Sequence, residues 1–270
     1  MKRFVIFISL SILLALFAVA VAGDEKQSLT GAEIVSKHIA AVGGKEAIMK
    51  IKSRVAIGVA KKDSDAAVPV YVVSEAPNRV SATYQFEGYN WQMLYDGKQS
   101  VVRPVLTRAN APVMQKYQDM LSTGTMFNGI SLYNALLAGE EGGVKFEAKG
   151  TKKIKGRSAY LVEMRRPKGD IIRLYFDAEN FMWLRSDYGS IRLTKEMGGF
   201  TNAVESKDQE TTYDFFIETT DFKEVDGVKL PFKFEIVATA PILKQKNIGT
   251  IITTITEYRH NIPINPKMFQ

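Results

Sequence analysis

Residues 79–87 read Arg-Val-Ser-Ala-Thr-Tyr-Gln-Phe-Glu, so polar and apolar side chains alternate without a break along this stretch. A period of two is typical of a β-strand, because successive side chains point to opposite faces of a sheet. The stretch therefore predicts a strand with Val80, Ala82, Tyr84 and Phe86 on a buried face and its polar residues in water.

The same period returns on both sides of this strand. Alternating stretches occur at 91–95, 160–164, 172–176, 215–217, 232–236 and 251–255. Asp96-Gly97 and Asp226-Gly227 are predicted hairpin turns, since glycine accepts the positive φ that tight turns require. Successive hairpins predict an antiparallel meander of roughly nine to eleven strands.

Some strands are apolar on both faces, and the chain also contains helical stretches that can cover them. Residues 171–176 and 181–184 have apolar side chains on both sides, as strands do when both faces are covered. Thr30 and Glu33 form a capping-box pattern at the start of a predicted helix. Further helices are predicted at 45–51, near 110–122 and near 130–138. The expected fold is mainly β (α+β): an open, strongly curved antiparallel half-barrel with helices packed in its concave face.

The N-terminus has the three parts of a secretory signal peptide. Lys2 and Arg3 precede an apolar run over 4–19, and Ala20-Val21-Ala22 is a small-residue cleavage site. The alternative is a retained membrane anchor, for which the apolar run is just long enough. We expect cleavage after Ala22, which leaves 23–270 as a single domain in the periplasm. The chain has no cysteine, so no lipid is expected at the cleavage point.

Composition narrows the possible chemistry. Without cysteine the chain has no disulfides, no thiol nucleophile and no cysteine metal ligands. The formal net charge is +7, and loss of Lys2 and Arg3 leaves a dispersed +5, too weak to indicate nucleic-acid binding. His38 falls on the apolar face of the first helix and is expected to be structural, whereas His260 is expected on a surface rim. Neither histidine belongs to a metal or catalytic motif, so we expect no metal, no cofactor and no enzymatic activity.

Two groups of residues are candidates for binding. The first group comprises inward-facing aromatic residues that either fill a solid core or line an apolar cavity. These are Tyr84, Phe86, Trp91, Tyr95, Phe176, Trp183, Phe215, Phe232 and Phe234. The second group is a basic patch formed by Lys149, Lys152, Lys153 and Lys155, which is either an ordinary solvated hairpin or a contact for anionic lipid head groups.

Four further stretches resemble a known family when they are taken together. They are Ala-Val-Gly-Gly-Lys-Glu-Ala-Ile at 41–48, Tyr-Asp-Gly-Lys at 95–98, Phe-Lys-Glu-Val-Asp-Gly-Val-Lys-Leu-Pro at 222–231 and Asn-Ile-Pro-Ile-Asn-Pro-Lys-Met-Phe at 261–269. The chain resembles the outer-membrane lipoprotein-sorting group, which includes the LolA and LolB carriers. The resemblance implies an incomplete antiparallel barrel with a helical lid over an apolar cavity that shields acyl chains in transit. It implies no catalytic residues.

The hypothesis that unites these observations is a periplasmic carrier. It would sequester a lipid or the acyl chains of a lipoprotein for transfer across the cell envelope, with a membrane partner at one end of the route. The alternative is a non-enzymatic sensor or protein-interaction module that uses the same curved sheet.

Overall fold

A computed structural model describes residues 28–63, 65–86, 89–103, 135–139, 143–166, 171–193, 211–240 and 245–270. The expected signal peptide, the helix near 110–122 and the start of the helix near 130–138 lie outside the described residues.

The described strands form one antiparallel sheet. They are β1 (Ser53–Lys62), β2 (Val68–Glu75), β3 (Arg79–Phe86), β4 (Tyr89–Tyr95), β5 (Ser100–Arg103), β6 (Lys145–Ile154), β7 (Arg157–Arg165), β8 (Ile172–Asp177), β9 (Trp183–Leu193), β10 (Thr211–Val225), β11 (Val228–Ala240) and β12 (Gln245–His260). These 12 strands exceed the predicted number. Short strands such as β5, with 4 residues, carry too little alternation to stand out in a sequence.

The strand order is a meander with one long-range closure. It runs β5-β4-β3-β2-β1-β12-β11-β10-β9-β8-β7-β6, so the first and last strands are neighbours near the middle of the sheet. Arg54 on β1 lies opposite His260 on β12. The edges are β5 and β6, which do not pair with each other. The sheet is therefore open, and the predicted curved half-barrel is confirmed.

The hairpin turn between β10 and β11 has the predicted form. Val225 pairs with Val228, which leaves Asp226 and Gly227 as a two-residue loop. Their φ angles are +51° and +78°. Positive φ at both central positions defines a type I′ turn, whose twist matches that of the flanking strands.

Within the described residues, three short α-helices accompany the sheet: α1 (Gly31–Ala41), α2 (Lys45–Lys50) and α3 (Ala135–Ala138). The capping box at the start of α1 is confirmed, with the Glu33 amide donating to Thr30 Oγ1 over 3.2 Å. Helix α1 packs on β6 and β7. A Cβ atom at Gly31 would lie 2.5 Å from the carbonyl carbon of Phe146, so glycine is needed for this close approach.

Both faces of the sheet carry apolar clusters. The largest cluster lies on the concave face and includes Ile34 and Val35 of α1 together with residues from β1, β2, β3 and β7 to β12. On the convex face, Val55 and Val73 are covered by Phe269 of the C-terminal 3-10 helix Pro266–Phe269. Strands that are apolar on both faces are therefore covered by a helix on the concave side. On the convex side, they are covered by the C-terminal segment or by neighbouring side chains.

Candidate ligand-binding face

The concave face of the sheet is a continuous apolar surface. Alternation along each strand brings one set of side chains to this face, and register aligns the sets across neighbouring strands. On β7 and β8, for example, Val162 lies opposite Leu174 and both are fully buried. The resulting surface crosses the sheet from β3 to β7.

Most of the predicted aromatic residues meet on this face. Tyr84, Phe176, Trp183, Phe215 and Phe234 are buried in the concave-face cluster. Tyr95 and Phe232 are partly buried and pack against it. The side chains of Phe86 and Trp91 lie outside the described residues, although both positions belong to strands of the same sheet.

His38 joins α1 to the aromatic part of this face. Its ring centroid lies 5.0 Å from that of Phe176 and 5.8 Å from that of Trp183. Its Nδ1 atom lies 2.9 Å from the carbonyl oxygen of Phe181. Burial lowers the pKa of His38 to about 4, an effect that the hydrogen bond to Phe181 only partly opposes. His38 is thus a neutral, buried side chain at neutral pH, in agreement with a structural role.

Two buried threonines flank Phe234 on the same face. Thr219 on β10 and Thr253 on β12 both lie directly opposite Phe234 on β11. Thr219 Oγ1 donates to the carbonyl oxygen of Trp183. The indole Nε1 of Trp183 in turn donates to the carbonyl oxygen of Arg185 over 3.2 Å. On the β10 side of Phe234, the Thr219 hydroxyl and the Trp183 indole N–H are therefore both paired with backbone carbonyl oxygens.

Arg54, His260 and Asp226 form a hydrogen-bonded polar relay at one end of the concave face. Arg54 is 2% exposed, and its Nε–H donates to His260 Nε2 over 3.0 Å. The other imidazole nitrogen, Nδ1, lies 2.8 Å from an Asp226 carboxylate oxygen. Since Nε2 accepts, Nδ1 carries the hydrogen and donates to Asp226.

Charge and burial set the protonation of this relay. Burial lowers the pKa of Arg54 to about 10, so the guanidinium stays charged at neutral pH. Burial and the nearby Arg54 cation lower the pKa of His260, while Asp226 opposes them. His260 lies at the end of β12 beside the exposed Asp226, as expected for a rim position, but its own side chain is only 3% exposed. Register with the buried Arg54 holds it inside, and no local pattern in the sequence indicates that pairing.

The four predicted patch lysines do not share one surface. Lys155, in the turn between β6 and β7, lies 2.6 Å from carboxylate oxygens of both Glu218 and Glu235. Those two residues are neighbours on the convex face of β10 and β11, so the hairpin tip folds over that face. Burial acts to lower the pKa of Lys155, but the hydrogen bonds with the two carboxylates outweigh it and raise this pKa.

The other three lysines also differ in their surroundings. Lys149 forms an ion pair with Glu147 and lies 3.9 Å from Glu163. Lys152 and Lys153 are exposed and, as consecutive residues of β6, point to opposite faces. Within the described residues, neither has a carboxylate at ion-pair distance. Of the four patch lysines, Lys152 and Lys153 are thus the two without an ion pair to a described residue, and they are the candidates for a membrane contact.

The described part of the chain shows neither a metal site nor a membrane-spanning helix. No group of three or more His, Asp or Glu side chains is arranged to hold a metal ion there. Among the helices described, none has the length and apolarity needed to cross a membrane.

Comparison with known proteins identifies the architecture. No protein-family model and no curated protein sequence matches the chain. A solved structure of a LolA superfamily protein from Nitrosomonas europaea matches 90% of this chain and 98% of its own, with a TM-score of 0.52 and 11% identity. An outer membrane lipoprotein-sorting protein domain from Vibrio parahaemolyticus is also similar, over 88% of this chain and 95% of its own, at 10% identity and a TM-score of 0.48.

A DUF1329 family protein from Desulfovibrio piger is similar over the same shares of both chains, at 10% identity and a TM-score of 0.46. The Nitrosomonas europaea structure matches nearly the whole of both chains and has a TM-score above 0.5. The chain has the open, curved antiparallel fold that is seen in this LolA superfamily protein.

Proposed function

We propose that this protein is a carrier that binds the acyl chains of a lipid or lipidated molecule on the concave face of its sheet. The observation that supports this role is the continuous apolar surface that β3 and β7 to β12 build from buried aliphatic and aromatic side chains. A curved sheet with an apolar inner face suits a long hydrocarbon chain, because the chain can follow the curvature while both sides leave water. No reaction is assigned to the protein.

The hydrophobic effect supplies enough free energy for such binding. Transfer of one CH₂ group from water to an apolar environment is worth about 0.8 kcal/mol. A palmitoyl chain would gain roughly 11 kcal/mol in gross transfer free energy, from which the cost of immobilising ligand and side chains must be subtracted. Even the smallest cost of association, about 4 kcal/mol, leaves about 7 kcal/mol, so one acyl chain should bind with a Kd of roughly 10 μM at best.

The proposed location is the periplasm, with residues 1–22 removed as a signal peptide and 23–270 acting as a single lipid-binding domain. N-terminal sequencing of protein from the periplasmic fraction tests this step. We expect the mature chain to begin at Gly23. Membrane-bound protein that retains Met1 would instead establish an anchor.

The experiment that tests the carrier role is native mass spectrometry of the protein purified from the cell envelope. We expect a species heavier than the mature chain, and organic extraction should remove the extra mass as lipid. Titration of the delipidated protein with 1-monopalmitoylglycerol, below its critical micelle concentration, should then show saturable binding. Absence of both co-purified lipid and binding would reject the carrier and favour the protein-interaction module.

Contact with an anionic membrane is a separate proposal for Lys152 and Lys153. Their reversal to glutamate should weaken binding to vesicles that contain phosphatidylglycerol and reduce its salt dependence. Each single reversal is compared with Lys267→Glu, which makes the same charge change at an exposed position near the C-terminus. Equal binding by the reversal variants and this control would leave the two lysines as ordinary solvated residues.

A further inference from the structure

Three side chains form a row across the floor of the concave face. Thr219 on β10 lies opposite Phe234 on β11, which lies opposite Thr253 on β12. Directly opposed residues of an antiparallel pair project to the same face, so all three side chains point into the concavity. The row ends on β1, where Thr253 lies opposite Ala60.

The two threonines differ in how their hydroxyl groups are satisfied. Thr219 Oγ1 donates to the carbonyl oxygen of Trp183. Thr253 is 4% exposed, yet its Oγ1 has no hydrogen-bond partner within the residues that the structure describes. A buried hydroxyl without a partner is unfavourable, and most such groups in proteins are paired. The Thr253 hydroxyl is enclosed in the ligand-free protein, so a bound molecule that displaces the packing above it would supply the missing acceptor.

The surroundings of Thr253 indicate the chemistry of that partner. Its cross-strand neighbours, Ala60 and Phe234, are apolar, and so are Ile251 and Ile255 on the same face of β12. A buried carboxylate or phosphate would need a cation beside it, which these neighbours do not provide. A neutral group that only accepts a hydrogen bond is suited to the site. In an acylated molecule that group is the carbonyl oxygen that joins the chain to its head group.

We propose that the Thr253 hydroxyl donates a hydrogen bond to the ester or amide carbonyl of an acyl chain bound on the concave face. This inference rests on the proposed carrier function and adds a specificity to it. The apolar face binds the hydrocarbon chain, and Thr253 sets its depth by fixing the carbonyl between Ala60 and Phe234. An alkyl chain attached through an ether would gain the apolar contacts without this bond.

A matched pair of ligands separates these two contributions. 1-Monopalmitoylglycerol carries the ester carbonyl, whereas 1-O-hexadecylglycerol has the same head group and chain length but an ether. Calorimetric titration of the wild-type protein should show a preference for the ester of about two- to ten-fold, the range expected for one neutral hydrogen bond. Thr253→Val, which keeps the side-chain shape, should lose this preference, and Thr253→Ser should retain it.

Thr219→Val is the control, because it removes a buried threonine hydroxyl from the other side of Phe234. It should lower the thermal midpoint, since the Trp183 carbonyl loses its donor, and should retain the ester preference. Thr253→Val should not lower the midpoint of the ligand-free protein. An unchanged ester preference in Thr253→Val, or equal wild-type affinity for the two ligands, would overturn the role of Thr253 while leaving the carrier intact. Failure of the wild-type protein to bind either ligand would reject the carrier itself.

Discussion

The Nδ1 atom of His38 on α1 lies 2.9 Å from the carbonyl oxygen of Phe181, in the turn between β8 and β9. Because a carbonyl oxygen only accepts, Nδ1 must carry the hydrogen. Phe181 has a φ of +59°, an uncommon conformation for a residue with a side chain. Its ring stacks on Tyr160 at 5.6 Å and lies under the Lys37 ammonium at 5.4 Å. Through these contacts, Lys37 and His38 attach α1 to the turn between β8 and β9.

The burial of His38 predicts a pH dependence of stability. The pKa of His38 is about 4 in the folded protein and near 6.5 when the chain is unfolded, so between these values the unfolded state binds more protons. The contribution of His38 to the free energy of unfolding should be fully present above about pH 6.5. It should fall by up to roughly 3 kcal/mol as the pH decreases to 4. His38→Phe should lose this share of the dependence, as measured by urea titrations at several pH values. Parallel curves for both proteins would contradict the assignment.

The contact of Gly31 with β6 predicts the effect of adding one methyl group. Alanine is favoured over glycine inside a helix by about 1 kcal/mol, so propensity alone would make Gly31→Ala stabilising. The new Cβ would meet the Phe146 backbone at 2.5 Å, however, and α1 would have to move away from β6. We expect a net loss of about 1–3 kcal/mol in chemical denaturation. Ala32→Gly, at an exposed position of α1, is the control and should cost about 1 kcal/mol.

Lys155 is predicted to stabilise the protein although its side chain is 56% exposed. The Glu218 side chain is only 7% exposed. Without Lys155, the neighbouring carboxylates of Glu218 and Glu235 would lose the cation that they share. Lys155→Met should therefore cost about 1–2 kcal/mol, with solvent screening limiting the loss. Lys152→Met, on the same hairpin, should stay within about 0.5 kcal/mol of the wild type. Equal effects of the two substitutions would show that the hairpin tip is not held to the convex face.

Trp183 provides a spectroscopic test of the concave face. Its ring is 1% exposed, so a Trp91→Phe protein should emit at short wavelength and resist quenching by acrylamide. Displacement of water by a ligand should therefore change the emission of Trp183 only slightly. Any large shift should disappear in Trp91→Phe and persist in Trp183→Phe. A strongly quenched Trp183 would contradict its burial.

Phe234 distinguishes a ligand-binding wall from a solid core. Phe234→Ala in a tightly packed core should cost about 3–5 kcal/mol, because the emptied volume stays unfilled. If the position borders space for an acyl chain, the loss in the ligand-free protein should be smaller, and saturating monopalmitoylglycerol should restore part of it. Thermal unfolding with and without this ligand measures both quantities. A full loss with no ligand effect would assign Phe234 to a solid core.

The sequence was sufficient for the architecture because alternation is a local signal. Period two places Tyr84 and Phe234 on the inner face, and both are buried there. The Thr30–Glu33 capping box and the Asp226-Gly227 turn are likewise written in a few consecutive residues and are both present. Such features depend on near neighbours, which a single sequence displays directly.

The polar details were not predictable because they depend on register between distant strands. Arg54 meets His260 across 206 residues of sequence. Lys155 reaches Glu235 across 80 residues because the β6–β7 hairpin bends over the convex face. Thr253 resembles any strand threonine until its opposite neighbours are known. Side-chain charge alone could not tell which lysines are paired and which are free.

The pairing of β1 with β12 has a consequence for how the protein is assembled. All other strand contacts join segments that follow one another along the chain, but this one closes a ladder between Arg54 and His260. The sheet is thus two consecutive hairpin stacks, β1–β5 and β6–β12, fused along a single seam. A cut between β5 and β6 would sever a connection between edge strands without separating paired neighbours. Two fragments divided there should reassemble through the β1–β12 seam, so the fold contains a natural site for making a split protein.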